Sequence, residues 1–302
     1  MADPLADFVA LLQPRMHYTK VAGAAGEWGV CCPESGEPMF LVMLEGVVDM
    51  RVGGMETLPL ETGDFVLIPS SLPFVMTSRG HPRPEQFFPD PVRLPNGEMR
   101  CGDPQAEPDA RMLVGHCKLG SPDAALLLSL LPRLIHIREQ ARLSTLMRLV
   151  VDESRSQRPA RDVAMDHLLK LLFIEALRSP GDAVASPGLL RGLSDERLSQ
   201  ALRSFHEAPD RCWTVPLLAE RAAMSRSSFF ERFLRFVGVP PMQYVLAWRM
   251  ALAKSLLKHG AAQIAEVAAQ VGYSSASTFT VAFTRHVGVP PGRFARLPAA
   301  EA

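Results

Sequence analysis

The last third of this 302-residue chain repeats itself, and the repeat limits the possible folds more than any other feature. Three stretches recur at an offset of 49 and then 50 residues: 218–225 with 267–274, 225–233 with 275–283, and 238–241 with 288–291. The second copy therefore carries one extra residue near Ser274. A repeat of this period indicates two copies of one small structural unit.

Each copy has the sequence pattern of a helix-turn-helix. A short helix is predicted at about 214–222 and again at 263–271. A turn follows each one, at Ala223-Met224 in the first copy and at Gly272-Tyr273 in the second. Glycine suits such a turn because the residue after a helix often takes a positive φ.

The second helix of each copy starts at a serine that can cap it, Ser225 or Ser275. Its core face carries two phenylalanines four residues apart: Phe229 and Phe233, then Phe279 and Phe283. The repeated Gly-Val-Pro-Pro ends the helix, because proline disfavours the helical conformation of the residue before it. A long helix at about 242–259 joins the copies and would hold their second helices at a fixed separation.

Two exposed helices held in this way suit successive major grooves on one face of a DNA duplex. The formal net charge of zero argues against DNA only as a total. Residues 195–302 contain 13 Lys and Arg against 8 Asp and Glu, a balance of +5, whereas residues 1–194 have a balance of −5. This asymmetry predicts different partners for the two parts. The alternative for the repeat is a helical surface for protein contacts.

A domain boundary is predicted near residue 194. The stretch 180–188 has the proline, glycine and small residues of an exposed connection. Ser194-Asp-Glu after it is a candidate helix N-cap with acids in the first turn. We therefore expect domains at 1–193 and 194–302, the second able to bind DNA alone. A surface loop inside one domain is the alternative.

The C-terminal part resembles the AraC/XylS family of bacterial transcription regulators. The resemblance rests on Trp213-Thr-Val, Trp248-Arg-Met, Ile264–Tyr273, and the spaced residues Phe279, Phe283, Arg285, Gly288, Pro291 and Phe294. It implies an all-α domain with helix-turn-helix units at about 214–236 and 263–287, and no cofactor. It also implies binding to asymmetric sites in double-stranded DNA, with one recognition helix in each major groove.

The resemblance assigns base contacts to the matching positions of the recognition helices: Arg226, Ser227, Phe230 and Glu231 in the first unit, and Ala276, Ser277, Thr280 and Val281 in the second. Arg226 could pair with guanine and Glu231 with cytosine N4. Phe230 could contact thymine methyl groups or be buried beside Phe229. The family often has an arginine where Val281 stands, so we expect methyl contacts and weak hydrogen bonds from the second helix. Most of the sequence discrimination is expected from the first.

Four arginines are candidate phosphate ligands, which position a protein on DNA without reading its sequence: Arg232, Arg235, Arg249 and Arg285. A solvated surface arginine is the alternative for each. A charge of +5 predicts modest nonspecific affinity that weakens as salt rises. A dimer, or contact with RNA polymerase, would then help at a promoter.

The front of the chain, residues 1–120, is predicted to be β structure behind an amphipathic helix that starts at Pro4. The motif Leu60-x-x-Gly63-Asp64-x-x-x-x-Pro69 resembles the second half of a cupin barrel, and the segment is similar to the cupin-type domain of one branch of AraC regulators. The implied fold class is α+β, with an N-terminal cupin-like β-barrel and flanking helices before the all-α domain. The proline-rich residues 81–109 are expected to form an irregular loop.

Cupins often are metal enzymes, but this sequence disfavours one. Catalytic cupins place two histidines and a carboxylate on one strand and a further histidine after the Gly-Asp motif. Residues 36–54 contain no histidine, and Phe74 stands near the later position. The usual Fe or Mn site cannot form without them, so we expect no metal and no catalytic residue. The barrel is then a pocket for an unknown small-molecule effector or a structural support, and a cupin enzyme fused to DNA-binding modules is the alternative.

Cysteine chemistry leaves a further alternative, a regulator that senses oxidants or metal through Cys31, Cys32, Cys101 or Cys117. None of these shows Cys-x-x-Cys spacing, and buried, unreactive thiols are the default. Five cysteines, an odd number at low density, fit a reduced cytoplasm better than a disulfide framework. An acidic start and the lack of an apolar run long enough for a membrane helix favour the same location.

Three helices are predicted before the boundary, at about 121–131, 142–154 and 160–178. The last has more apolar side chains than one side of a barrel readily covers. In the family that the chain resembles, the corresponding helices pair two subunits, so a homodimer is expected. Packing within the subunit is the competing interpretation.

Overall fold

The computed structural model describes residues 3–34, 36–70, 72–80, 90–95, 97–121, 123–138, 140–156, 158–179, 187–259 and 263–297. The chain divides into two compact units. The first, here called the sheet unit, comprises residues 14–119 and 132–183. The second, the helical unit, comprises residues 1–13, 120–131 and 184–302.

The strands all belong to the sheet unit. In chain order they are β1 (Pro14–Ala25), β2 (Gly29–Cys32), β3 (Met39–Glu45), β4 (Val47–Val52), β5 (Leu58–Glu61), β6 (Phe65–Ile68), β7 (Phe74–Ser78), β8 (Val92–Arg93), β9 (Met99–Gly102), β10 (Ala110–Leu119) and β11 (Ile135–Ile137). They form a seven-stranded sheet in the order β11-β6-β3-β10-β1-β9-β8 and a four-stranded sheet in the order β2-β7-β4-β5.

The helices, in chain order, are α1 (Pro4–Leu12), α2 (Ala124–Ser129), α3 (Ala141–Arg155), α4 (Arg161–Arg178), α5 (Leu189–Ser194), α6 (Glu196–Glu207), α7 (Val215–Arg221), α8 (Arg226–Val237), α9 (Pro241–His259), α10 (Ile264–Gln270), α11 (Ala276–Val287) and α12 (Pro291–Arg296). Of these, α3 and α4 belong to the sheet unit and the others to the helical unit. A sheet-rich unit and an all-α unit confirm the predicted α+β class.

The two sheets share one apolar core, in which methionine is prominent. Five methionines are buried there beside Trp28: Met39, Met43, Met50, Met76 and Met112. The β structure predicted for residues 1–120 includes β3 and β4, and a turn with positive φ at Gly53 and Gly54 follows them. Methionine is unbranched and fills irregular space well. The interior of this unit is therefore packed with flexible thioether side chains.

The irregular loop expected at 81–109 is in part wrong. Residues 81–89 lie outside the described residues, but β8 and β9 both form within this range. β9 pairs in parallel with Ala22–Ala25 of β1, and this long-range partner overrides the local proline signal. β11 was also not predicted, because a strand of only three residues has too short a pattern to be recognised in the sequence.

The cupin-like motif makes a buried polar junction in the larger sheet. The carboxylate of Asp64 accepts hydrogen bonds from the backbone N–H of Glu61 at 3.0 Å and from the His136 ring at 3.0 Å. The guanidinium of Arg138 lies 3.4 Å from the same oxygen. Asp64 and His136 are both buried. The Gly-Asp turn therefore anchors β11 to the sheet, and its carboxylate has a structural role.

The helical unit includes the two helices from the front of the chain. The side chain of Asp3 caps α1 through the backbone N–H groups of Leu5 and Ala6. From α1, Asp7 contacts Nδ1 of the buried His206 at 3.3 Å, and Nε2 of that ring bonds the Tyr244 hydroxyl at 2.8 Å. Burial lowers the pKa of His206 despite the nearby Asp7 carboxylate. A neutral ring can donate to the carboxylate and accept from the hydroxyl, so α1 is joined to α6 and α9.

The region of the predicted boundary differs in detail from expectation. Ser194 was expected to cap a helix, but the capping residue is Asp195, whose side chain accepts from Leu198 N–H at 2.9 Å. Ser194 instead ends α5, a helix that was not predicted. Residues 180–186 of the expected connection lie outside the described residues. The helical unit takes in residues from the front of the chain as well, and the boundary at 193/194 stays a prediction.

Candidate nucleic-acid interface

The helical repeat is present in three dimensions. Helices predicted at 214–222 and 263–271 form as α7 and α10, whose first residues are 49 positions apart. The recognition helices α8 and α11 follow at an offset of 50. The joining helix, predicted at 242–259, is α9. The internal repeat thus identified both helix-turn-helix units to within about two residues.

The two turns and caps also match the prediction. Ala223 has a φ of 50° and its counterpart Gly272 a φ of 80°. The hydroxyl of Ser225 accepts from the Ser228 N–H at 3.3 Å, and the hydroxyl of Ser275 accepts from the Thr278 N–H at 3.2 Å. Each serine therefore satisfies one N–H group that the helix start leaves without a backbone partner.

The ends of the recognition helices show which residue of Gly-Val-Pro-Pro stops them. Gly238 and Gly288 take φ values of 88° and 85° and donate their N–H groups to the carbonyls of Leu234 and Thr284. The helix therefore ends at the glycine, two residues before the proline to which the prediction attributed the stop. The second proline of each tetrapeptide starts the next helix, α9 or α12, where its fixed φ fits the first turn.

Buried phenylalanines set the orientation of both recognition helices. Phe229 and Phe233 in α8, and Phe279 and Phe283 in α11, are all buried. The opposite face of each helix is left in solvent as a result. Phe230, which could have been buried as well, is 39% exposed. It therefore lies on the outer face of the helix, where it could contact the edge of a DNA base.

The candidate residues of the first unit share this outer surface. Arg226, Ser227, Phe230 and Glu231 are all exposed. The Arg226 guanidinium and the Glu231 carboxylate make no hydrogen bond or ion pair with any described residue. This surface therefore carries a donor group and an acceptor group without a partner among the described residues. Leu234, one turn beyond Phe230, is exposed too and was missed, since nothing in its spacing separates it from a core leucine.

The second unit presents a different surface. Val281 is 70% exposed and Ser277 is exposed, while Ala276 and Thr280 are half-buried. Leu246 of α9 lies beside this helix and lines a recess of about 700 Å³ with Val281 and Arg285. This contribution from the joining helix was not predicted, because a single leucine in an apolar helix gives no signal of its own.

The four candidate phosphate ligands fall into two pairs. Arg235 and Arg285 are exposed at equivalent positions, 50 residues apart, near the ends of the two recognition helices. Arg232 donates to Asp195, and Arg249 donates to the carbonyls of Pro209 and Arg211 at 2.8 and 2.7 Å. Arg232 and Arg249 therefore have hydrogen-bond partners inside the protein, whereas Arg235 and Arg285 are exposed and Arg235 contacts the ring of Phe236, at 5.2 Å from its centroid.

The four candidate cysteines differ in their exposure to solvent. Cys31 is exposed and Cys32 half-buried, and Cys101 and Cys117 are buried. Burial raises the pKa of Cys101 to about 11, and it raises the pKa of Cys32 and of Cys117 as well. A raised pKa lowers the thiolate fraction, which is the reactive form. Within the described part of the chain, no group of three or more His, Cys, Asp and Glu side chains could hold a metal ion.

Beyond one end of the core of the sheet unit, β1 carries exposed polar side chains. Ala22 and Ala24 of β1 face this core, and the alternation of a strand puts Lys20 and Tyr18 on the same face. Tyr18 pairs with His116 of β10, and the two rings stack with centroids 4.6 Å apart. Burial and the positive charge of Lys20 lower the pKa of His116. A neutral ring therefore leaves Lys20 as the cation of this group.

None of the described helices is both long and apolar enough to cross a membrane.

Comparison with known proteins gives two family matches and several full-length relatives. Residues 3–180 match a cupin family model, and residues 218–297 match a helix-turn-helix domain model. The chain is 31% identical over 303 residues to an AraC-like transcription regulator of Streptomyces lividans, covering 98% of this chain and 99% of that protein. It is 36% identical to the HTH-type transcriptional regulator AlkR of Acinetobacter baylyi over 58% of each. The DNA-binding domain of AdpA, solved with a target DNA, is 28% identical over 33% of this chain and 90% of its own, with a TM-score of 0.31.

Proposed function

This chain belongs to the AraC-like family of transcription regulators, and from this membership we propose that its two recognition helices read neighbouring major grooves of one DNA site. One observation supports this proposal above others. Two helices at a 50-residue period each bury a phenylalanine pair and leave the opposite face in solvent. Such a face, placed on a helix that follows a tight turn, is the part of a helix-turn-helix that enters the major groove.

We assign base reading to the exposed set on the first recognition helix. The guanidinium of Arg226 can donate two hydrogen bonds to guanine O6 and N7, and Glu231 can accept from cytosine N4. The ring of Phe230 offers an apolar surface for thymine methyl groups. On the second recognition helix, Ala276, Ser277, Thr280 and Val281 have the corresponding positions.

Phosphate contacts are proposed for Arg235 and Arg285, because both guanidinium groups are exposed and stand at equivalent ends of the two helices. Phosphate contacts fix the register of a protein on DNA but carry no sequence information. Arg232 and Arg249 are proposed as indirect contributors, since each holds a neighbouring segment in place. DNA-binding residues are thus expected within 194–302.

Mapping of the DNA bound in cells by the full chain tests this function. The wild-type protein should be enriched at a limited set of genomic sites that share a sequence motif. Arg226→Ala, a change on an exposed surface, should lose or redistribute those sites without loss of the folded protein. Failure of the wild-type protein to enrich any site would contradict the proposal.

For the front of the chain we propose a sensing role without catalysis. The effector is expected to be a small molecule with a negatively charged group, and Lys20 beside Tyr18 is the proposed contact. A recess of about 710 Å³ at this end is lined by Lys20, Arg93, Tyr18, Met99 and Glu98 among others. The Glu98 carboxylate is paired with an arginine of β9, so Lys20 and Arg93 are the cations that an organic anion would contact, beside two less polar side chains.

The contact with Lys20 can be tested with simple probes. Hexanoate and phenylacetate, each compared with its neutral amide, should raise the unfolding temperature of the wild-type protein only as the anion. Lys20→Met should abolish the effect, whereas Lys170→Met, at an exposed position of α4, should not. An equal effect of acid and amide would rule out the anion contact.

We propose a homodimer, although less of the apolar surface of α4 is available for pairing two subunits than the sequence indicated. Met165, Leu169, Leu172 and Leu177 are buried within the subunit, as the competing interpretation expected. Val163, which is 58% exposed, and Leu171 remain on the outer face. Sedimentation of the full chain, with Val163→Asp as the disrupting variant, distinguishes a dimer from a monomer.

The remaining alternatives lose support but define controls. A cupin enzyme would need histidines in β3 and β4, and these strands contain none. A thiol sensor would have to use Cys31, the exposed member of the four cysteines, and Cys31→Ser should then abolish a response to oxidants. A cytoplasmic location and contact with RNA polymerase complete the proposal, since a regulator of this family acts where its promoters are.

A further inference from the structure

The hydroxyl groups of the second recognition helix are already used as donors inside the helix. Thr280 Oγ1 donates to the Ala276 carbonyl and Thr284 Oγ1 to the Thr280 carbonyl, each at 2.7 Å. Thr278 Oγ1 donates to the Ser275 carbonyl at 3.0 Å, and the Ser277 and Ser275 hydroxyls lie 3.0 Å apart. A hydroxyl has one proton to donate. This helix therefore has little donor capacity left for DNA.

Apart from these hydroxyl groups, the outward-facing groups in the middle of this helix are methyl groups. The side chain of Val281 is mostly in solvent, and Leu246 of α9 stands beside it at the recess between the two helices. Ala276 and Thr280, both half-buried, add methyl groups beside them. Between Ser277 and Arg285 the outer face of α11 is thus an apolar strip, and Arg285 and His286 follow it at the end of the helix.

The base pairs differ in the donors, acceptors and methyl groups that they present in the major groove. Guanine presents only acceptors there, N7 and O6, and needs donors from the protein. Thymine presents its C5-methyl group, and adenine presents the N6 amino donor. A threonine hydroxyl that has donated its proton still has lone pairs to accept from that amino group. Cytosine presents its N4 amino donor, so acceptors alone do not separate A·T from G·C pairs. The thymine methyl group has no counterpart in a G·C pair, and an apolar strip without donors therefore favours A·T pairs.

The first recognition helix has the opposite character. Arg226 supplies donors and Glu231 supplies acceptors, with neither engaged by a described residue. Because the two helices differ in this way, their halves of the DNA site should differ in base composition. We propose that the second unit is an A·T-reading subsite in which thymine methyl groups lie against Val281 and Leu246, an inference that rests on the proposed function.

Replacing thymine with deoxyuridine tests this directly, because it removes only the C5-methyl group. The full chain is titrated with its own site, obtained by selection from random DNA, carrying uracil at single positions. Uracil in the half bound by the second unit should weaken binding about three- to fivefold per position, the value of one buried methyl group. Uracil outside both halves provides the baseline.

Two variants identify the side chain that contacts the methyl group. In Val281→Ala, uracil at the same positions should cause little further loss, since the contact is already gone. In Arg226→Ala, overall affinity should fall while the uracil effect in the second half is retained. Leu246→Ala, on a different helix, should reduce the uracil effect at one of these positions.

The outcomes separate this inference from the function on which it rests. Sequence-specific binding with no uracil effect in the second half, or with an uracil effect that persists undiminished in Val281→Ala, overturns the A·T subsite alone. Absence of any specific binding by the full chain overturns the proposed function and the subsite together.

Discussion

Arg232 and Asp195 form an ion pair in which two guanidinium nitrogens donate to one carboxylate oxygen, Nε at 2.9 Å and Nη2 at 2.5 Å. The other oxygen of Asp195 accepts from the Leu198 N–H and caps α6. One buried carboxylate therefore fixes both the start of α6 and the side of the first recognition helix that faces it. The pair therefore links α6 to the first recognition helix.

Arg232→Ala should lower the free energy of unfolding by about 2 kcal/mol, because it removes charge-assisted hydrogen bonds from a buried carboxylate. Urea unfolding of the full chain measures the change. Arg235→Ala, one turn further along and exposed, is the matched control and should leave stability unchanged. For DNA binding we expect the larger effect from the other variant. Arg235→Ala should reduce the slope of log affinity against log salt by about one. A smaller slope from Arg232→Ala alone would reverse the assignment of the two arginines.

The same pair predicts a dependence of stability on pH. Burial raises the pKa of Asp195, but the hydrogen bonds from Arg232 and from backbone N–H groups outweigh it, and the pKa is lowered overall. A lowered pKa contributes stability that is complete above the unfolded value of about 4 and is lost as pH falls through the folded value. Asp195→Asn, which keeps a capping side chain, should be less stable than wild type at pH 7. The difference should narrow below about pH 4, and a constant difference from pH 7 to pH 3 would contradict the assignment.

Phe229 and Phe230 are neighbours with opposite roles, and their alanine variants should separate stability from DNA binding. Phe229 is fully buried, so Phe229→Ala should cost about 3–5 kcal/mol of stability. Phe230→Ala should cost under about 1 kcal/mol, since the ring is partly in solvent, but should weaken specific DNA binding. Thermal unfolding and binding titrations on the same preparations provide both readouts. Equal losses of stability from the two variants would place Phe230 in the core.

The turns of the two units predict opposite effects of glycine and alanine. Ala223 holds a φ of 50°, a conformation that costs a residue with a Cβ about 1 kcal/mol. Ala223→Gly removes this strain and should therefore stabilise the protein by up to that amount. Gly272→Ala should destabilise it by more, because a Cβ there would lie 2.6 Å from the Asp210 carbonyl oxygen. Urea unfolding of both variants checks the signs, and a gain in stability from Gly272→Ala would refute this reading of the turn.

Much of the helical unit could be predicted from the sequence because its signals are local and repeated. Serine caps, phenylalanine spacing and a positive-φ turn each act within a few residues, and the second copy confirmed the first. The contribution of α1 to this unit could not be found in the same way. The contact of Asp7 with His206 joins residues 199 positions apart, and neither residue carries a pattern that identifies the other.

The same distinction explains which site residues were found. Arg226 and Val281 were assigned through the resemblance to the AraC/XylS family, and their exposure follows from the buried phenylalanines on the opposite face of each helix. Arg232 and Arg249 were assigned the same role as Arg235 and Arg285, because an arginine on a basic helix looks alike whether it faces solvent or a carboxylate. Only the positions of Asp195 and of the Pro209 carbonyl distinguish them.

Selection of bound sequences from a random DNA pool by the full chain is the sharpest test of DNA reading by the two recognition helices. We expect one asymmetric motif with two informative blocks centred about ten base pairs apart, the spacing of successive major grooves on one face. One block should contain G·C pairs and change in Arg226→Ala, and the other should contain A·T pairs and change in Val281→Ala. A pool without any enriched motif, or a single block that neither variant alters, would show that the two helices do not read DNA in this way.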